Sequence, residues 1–196
     1  MKQIVHIHGG SPFDSYERYL SALRNNPLKY ESLFHKTKWR DWLAVTMTDF
    51  DVLVPNMPNK QNARYSEWKI YFEKILPFLG NNVQLIGSSL GAIFLAKYLH
   101  ENPLSTPVDR LILIAAPYDD ATHEDLGDFI LPSATGLEKS AKEIHLFHSK
   151  DDAVVSFTEL AKFQSDLPSA KSHIFVDRGH FQQPTFPELK ELLEQK

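Results

Sequence analysis

Apolar residues gather into six short runs along this chain, at 3–8, 50–54, 83–86, 110–117, 143–148 and 172–176. Most are bounded by glycine, proline, asparagine or aspartate, and each has the length of a buried strand. Between them the apolar positions change to helical spacing. Tyr16, Tyr19, Leu20 and Leu23 predict a helix over 16–23, and Trp39, Trp42 and Leu43 predict a second. Trp68, Ile70, Tyr71, Phe72, Ile75, Leu76 and Leu79 mark an amphipathic helix over 65–79, entered through Ser66. Further helices follow over 90–102 and 157–167, and Pro187 opens a last one from a favoured first-turn position. The rest of 24–48 has no clear period, and 118–142 is polar and mixed, as a loop with a short helix would be. Strand and helix thus alternate six times, and the strands are near-continuous apolar runs. That pattern predicts one domain over 1–196, a three-layer α/β/α arrangement around a six-stranded, mostly parallel sheet. Ligands of such sheets bind beyond the carboxyl ends of the strands. His8, Gly9, Gly10, Ser89, Asp152 and His180 each sit just after a predicted strand, so candidate chemistry collects on one edge.

The organising stretch is Val83-Gln84-Leu85-Ile86-Gly87-Ser88-Ser89-Leu90-Gly91. An apolar strand runs into Gly-x-Ser-x-Gly, and an apolar helix follows at once. Strand, tight turn and helix form the context of a nucleophile elbow, which presents a serine hydroxyl on a strained turn. Side chains at 87 and 91 would collide with that turn, so both positions call for glycine. The helix N-terminus then directs free N–H groups at the place where an oxyanion would form. A chance Gly-x-Ser-x-Gly is the plain alternative, and the flanking strand and helix argue against it.

A serine hydroxyl is a poor nucleophile at neutral pH. It needs a base beside it, and the base needs a third group to hold its tautomer. The order Ser89, Asp152, His180 supplies these groups, and it is the order of α/β-hydrolases. With Gly87-Ser88-Ser89-Leu90-Gly91, Ser149-Lys150-Asp151-Asp152-Ala153-Val154-Val155 and Gly179-His180-Phe181, the chain resembles the small, lidless α/β-hydrolases over nearly its whole length. Among these it resembles serine hydrolases of the retinoblastoma-binding-protein-9 type and their bacterial relatives. The resemblance implies a minimal α/β-hydrolase fold without a lid domain. It also implies an acid after the second strand beyond the elbow and a histidine after the last strand. Two departures stand out. Many relatives carry His where this chain has Ser88, and the family's Pro after Val-Val is Ser156 here.

The family spacing Asp-x-x-Val selects Asp152 as the acid, with Asp151 the alternative; either could instead be a solvated loop carboxylate. His180 lies in a tight loop with an aromatic to pack it, the alternative being a surface histidine. Two backbone N–H groups must converge on the oxyanion. Leu90, following the serine, supplies one. The family's other donor follows a His-Gly pair, which lands on Gly10, with Ser11 a near alternative. His6 and His8 share a strand face, and His-x-His opens metal sites in amidohydrolase barrels. Those barrels need about 250 residues and further ligands after later strands. The other histidines here (35, 100, 123, 145, 148 and 173) form no ligand pattern, so no metal is expected and His8 is read as orienting the oxyanion loop.

Composition narrows the partners. The net charge is -4 with 42% hydrophobic and 12% aromatic residues, which provides a core but no basic patch for nucleic acid or an anionic membrane. There is no cysteine, which fits a reducing compartment. The start reads directly into a strand rather than a signal peptide, and no apolar run reaches the ~18–20 residues that span a bilayer. The expectation is a cytoplasmic, carboxylesterase-like serine hydrolase that takes a small-molecule acyl substrate and no cofactor. The short 118–142 stretch leaves little room for a lipid lid. Phe13, Tyr118, Phe129 and Phe181 are candidates to line the acyl site, and equally candidates for core or surface. Two rivals belong to other classes: a weakly active or inactive member that binds a protein partner, and an acyltransferase or cofactor-free lyase on the same fold. Covalent labelling of Ser89 discriminates the first, and the identity of the acyl acceptor the second.

Overall fold

All six apolar runs become strands of one sheet in the computed structural model, which describes residues 2–119 and 125–195. They are β1 (Lys2–Ile7), β2 (Phe50–Leu53), β3 (Val83–Ser88), β4 (Val108–Ile114), β5 (Ala141–Ser149) and β6 (Lys171–Phe175). Their order is β2-β1-β3-β4-β5-β6, and every neighbouring pair is parallel. Register follows the pleat: Val5 pairs with Leu85, Leu85 with Leu111, and Leu111 with Ile144. These four partners, with the residues two positions from each, therefore line one face across four strands.

Both faces are apolar because both are covered. Helices α1 (Tyr16–Asn25), α2 (Trp39–Thr46), α3 (Tyr65–Ile75), α4 (Leu90–Glu101), α5 (Thr158–Asp166) and α6 (Pro187–Glu194) complete the chain. On one side Val5, Ile7, Leu85, Leu111, Leu113 and Leu146 meet Trp68 and Phe72 of α3, Phe94 of α4 and Phe163 of α5. On the other, Ile4, Ile86, Ile112 and Phe147 meet Trp39 and Leu43 of α2 and Leu189 and Leu193 of α6. Helix α4 has apolar residues nearly all round, which is how a helix covered on several sides must read. This is the three-layer α/β-hydrolase architecture, with no lid domain evident among the described residues.

Three local expectations change. The predicted helix over 65–79 stops at Ile75 and ends as a 3-10 turn, Leu76–Phe78. Pro77 lacks the N–H an α-helix needs and crowds the preceding turn. The entry of α3 is not made through Ser66. Asp128, from the distant 118–142 stretch, accepts the Tyr65 N–H with both carboxylate oxygens at 3.1 Å, the work an N-cap side chain usually does. Helix α1 forms where its spacing predicts but buries no residue; Tyr16 and Leu23 are more than half exposed. Periodicity reported the helix and not its depth. The short helix expected in 118–142 is present as 3-10 turns at Gly127–Phe129 and Leu137–Lys139; residues 120–124 of that stretch lie outside the described ones.

Glycine is required where β3 turns into α4. A Cβ at Gly91 would lie 2.2 Å from the Ile7 carbonyl oxygen and 2.6 Å from that of His8. One at Gly87 would lie 2.5 Å from Ala92 Cα and from the Gly91 carbonyl oxygen. These are rigid backbone atoms, so no side-chain movement can relieve the clash. Gly91→Ala is expected to cost more than about 3 kcal/mol or to prevent folding, whereas Gly80→Ala, which meets only the Gln3 side chain at 3.6 Å, should stay within about 0.5 kcal/mol. Urea melts of both variants test this, and equal midpoints would show that the elbow tolerates a side chain.

Candidate active site

Ser89 stands at the turn between β3 and α4 with φ 53° and ψ -122°, a conformation that costs a non-glycine residue about 1–3 kcal/mol. Surrounding bonds hold it there. Its N–H donates to the Ile114 carbonyl at 2.8 Å, and its own carbonyl accepts from Ala92 N–H at 2.8 Å and Ile93 N–H at 3.3 Å. Gly9 packs against it so closely that an added Cβ would lie 3.2 Å from Ser89 Cβ.

Asp152 and His180 meet from two loops that leave adjacent strands. His180 Nδ1 lies 2.8 Å from Asp152 Oδ2 and 3.1 Å from Oδ1. The Asp152 side chain has 0% exposure. Burial works to raise its pKa, but the His180 hydrogen bond and charge, with the Val154 and Val155 N–H groups, hold it below the usual carboxylate value. Those two amides donate to Oδ1 at 2.8 and 3.0 Å. Only Val155 anchors the loop in the core, while Val154 is 47% exposed and lines the cavity. His148 donates Nε2–H to the Val155 carbonyl at 3.1 Å and secures the same loop from below.

Asp151 is neither the partner of His180 nor simply a solvated loop carboxylate. Its Oδ1 accepts the Ser149 hydroxyl and, at 2.9 Å, the N–H of Gly179, the residue before His180. These bonds hold its pKa below the usual value. The paired aspartates thus divide the work: Asp152 meets the imidazole and Asp151 ties down the backbone that carries it. The histidine loop is also gripped from α2, where Trp39 Nε1–H donates to the Phe181 carbonyl at 3.1 Å. Phe181 has φ 50° and stacks on Phe186.

On the β1 side, His8 Nε2 accepts the Met57 N–H at 2.9 Å, so its proton is on Nδ1, which donates to the Gly9 carbonyl at 2.6 Å. His8 therefore bridges the turn carrying Gly9 and Gly10 to the segment after β2. The Ser11 N–H is already engaged with the Lys60 carbonyl at 2.8 Å. No such bond occupies the N–H of Gly10 or Leu90 among the described residues. Under the elbow, His6 Nε2 lies 2.9 Å from Ser88 Oγ, and the His6 ring packs edge-on against Trp39.

Ser89, Leu90, Gly10 and His180 all line one cavity of about 370 Å³. Ser89 and His180 are not joined by a hydrogen bond among the described residues; such bonds often tighten only when substrate binds. Of the four aromatics considered as lining, Phe181 contributes. Phe129 is fully buried in the core, Tyr118 packs on Phe163, and Phe13 packs on Tyr19. Trp39, Lys38 and Arg40, from the stretch whose period was unreadable, line the cavity instead. Only Trp39 left a signal in sequence, as part of an aromatic helix face.

Comparisons with known proteins bear on the family and the fold. A family model described as serine hydrolase matches residues 34–194. The chain is 31% identical over 158 residues to the serine hydrolase RBBP9 of Rattus norvegicus, covering 77% of this chain and 82% of that protein. The crystal structure of the ydeN gene product from B. subtilis superposes with a TM-score of 0.77 at 21% identity, covering 98% of this chain and 97% of that one. Est1E from Butyrivibrio proteoclasticus, solved with ferulic acid bound, gives 0.59 at 13% identity over 99% of this chain and 87% of that one. At such identities the structural likeness carries the fold alone.

Burial sets the charge state of the imidazoles around the site. It lowers the pKa of His6 to about 3, with Arg40 and His8 adding to the effect. It likewise lowers those of His8 and His148 near the site, and of His145 and His173 elsewhere on β5 and β6. An unfolded chain takes up these protons from about pH 6.5 downward, while folded His6 stays neutral to about pH 3. Below 6.5 the unfolded state binds more protons, so stability falls as the pH falls. His6 alone should remove about 1.4 kcal/mol per pH unit across that window. Urea melts between pH 7.5 and 4.5 should show this decline, and His6→Gln should flatten its slope; an unchanged slope would mean that His6 titrates alike in both states.

Proposed function

Because the chain belongs to the serine hydrolase family, we propose that it hydrolyses an ester, thioester or amide, in the manner of a carboxylesterase, through an acyl-enzyme on Ser89. The observation that carries this reading is His180, paired with the buried Asp152 carboxylate, opening onto the same cavity as a serine held at positive φ. A member that only bound partners would have no use for an imidazole paired with a buried carboxylate at that cavity, which favours catalysis over the binding-module alternative.

The steps follow from the groups present. Ser89 Oγ attacks the substrate carbonyl carbon as its proton passes to His180 Nε2. Asp152, hydrogen-bonded to Nδ1, fixes the tautomer and stabilises the imidazolium that forms. Negative charge develops on the former carbonyl oxygen, where the N–H groups of Leu90 and Gly10 are the donors assigned to it. His180 then gives its proton to the leaving group as the tetrahedral intermediate collapses. Water, deprotonated by His180, attacks the acyl-enzyme and releases the acid, returning the proton to Ser89. No step calls for a metal or an organic cofactor.

A fluorophosphonate probe should label the wild type and not Ser89→Ala, and that variant should lose turnover on the order of 10⁶-fold. Equal labelling of the two proteins would refute the assignment. The two aspartates should separate cleanly. Asp152→Asn favours the wrong imidazole tautomer and should lower kcat about 10⁴-fold. Asp151→Asn keeps an oxygen to accept the Gly179 N–H and should cost within about tenfold, under ~1.4 kcal/mol of barrier. Measuring kcat for both on one activated ester, with folding checked by melts, decides the matter. A crippled Asp151→Asn beside a nearly normal Asp152→Asn would reverse their roles.

A further inference from the structure

The cavity in front of Ser89 is lined by three cations, Lys38, Arg40 and Lys60, and among the described residues by no carboxylate. That is a local reversal in a chain of net charge -4. The nearest acid of the machinery, Asp152, has a fully buried side chain engaged with His180.

Among the described residues the cations have little to neutralise them. Lys38 Nζ donates to the neutral Gln182 Oε1 at 3.2 Å. Arg40 Nε is 4.0 Å from Asp41 Oδ1, and the other oxygen of that carboxylate accepts the Lys38 N–H. Lys60 makes no ion pair among the described residues. Lys38 and Arg40 are also half-buried rather than spread on an open surface. Burial first, then the charges of Arg40 and Lys60, holds the Lys38 pKa below its ordinary value. Like charges gathered on a concave wall repel one another and lose hydration. An anion in the cavity would relieve both costs, and Arg40 could meet a carboxylate or phosphate with two parallel N–H bonds.

We propose that the substrate of this site carries an anionic group, a carboxylate or a phosphate, which Lys38 and Arg40 hold with Lys60 at the rim while the scissile carbonyl lies at Ser89. The proposal rests on Ser89 being the nucleophile. Its three cations would act as specificity determinants rather than in bond making. Their effect belongs mainly in KM, because an anion remote from the carbonyl is bound alike before and during the chemical step.

The test uses two ester pairs that differ in one charge. 4-Nitrophenyl hemiglutarate against its methyl ester places the anion on the acyl side, and 4-acetoxybenzoate against its methyl ester places it on the leaving group. Each kcat/KM is divided by that ester's alkaline hydrolysis rate to remove intrinsic reactivity. At low ionic strength the anionic member of at least one pair should be preferred by about tenfold or more, ~1.4 kcal/mol. The preference should shrink as salt rises and fall to within about threefold in Lys38→Gln/Arg40→Gln. A ratio within one protein sample is insensitive to partial unfolding of the variant. Competition by glutarate against inorganic phosphate then separates the two anion classes. Neutral esters turned over at Ser89 without any anionic preference, or a preference unchanged in the double variant, would overturn the anion site and leave the hydrolase reading standing. No Ser89-dependent turnover of any of the four esters would overturn both.

Discussion

Helix α4 begins so close to β1 that only hydrogen fits between them at Gly91, and this contact governs the site. It sets how sharply the chain can turn at Ser89, and hence why the turn passes through positive φ. It also brings the end of β1, with His8 and Gly9, up against the serine. Were α4 to start farther away, the serine could relax, but the Gly10 turn and the Leu90 N–H would no longer share one cavity. The apolar character of α4 follows from the same demand, since a helix held this tightly must be covered on several sides.

Much of this was legible because parallel α/β architecture writes itself in short apolar runs. All six strands stand within a few residues of their expected positions, and the residues just after them meet at one edge. Asp152 was legible through its spacing to Val155, although Val154 is exposed rather than buried. What could not be read depends on contacts between distant segments. Asp128 capping α3, Asp151 bonding Gly179 and Trp39 holding the Phe181 carbonyl are each set by tertiary neighbours, which local patterns do not encode. The cations of the cavity wall were illegible for another reason. Lys38 and Arg40 look like any polar face of a short helix until the sheet places that helix beside the elbow.

The buried histidines fill two roles. His8 and His148 are structural bridges, each bonding a backbone group of a loop that borders the cavity. His6 sits beneath the elbow against Ser88 and Trp39, with Nδ1 left without a hydrogen-bond partner among the described residues. Burial keeps that imidazole uncharged in the fold, so the floor of the site holds its form in acid while the fold as a whole loses stability there.

The loops that carry Asp152 and His180 are cross-linked by three contacts: Asp152 with His180, Asp151 with Gly179, and the Ser149 hydroxyl with the Arg178 N–H. They behave as one closed ring, and neither can change length alone. The run 26–37 is the opposite case. Its Leu28, Tyr30 and Leu33 project into solvent, and its bonds, such as Ser32 to Lys29, are local. Laboratory grafting has a freedom there that the ring denies it: a new cover for the cavity could be spliced into that segment while the machinery beneath kept every one of its ties.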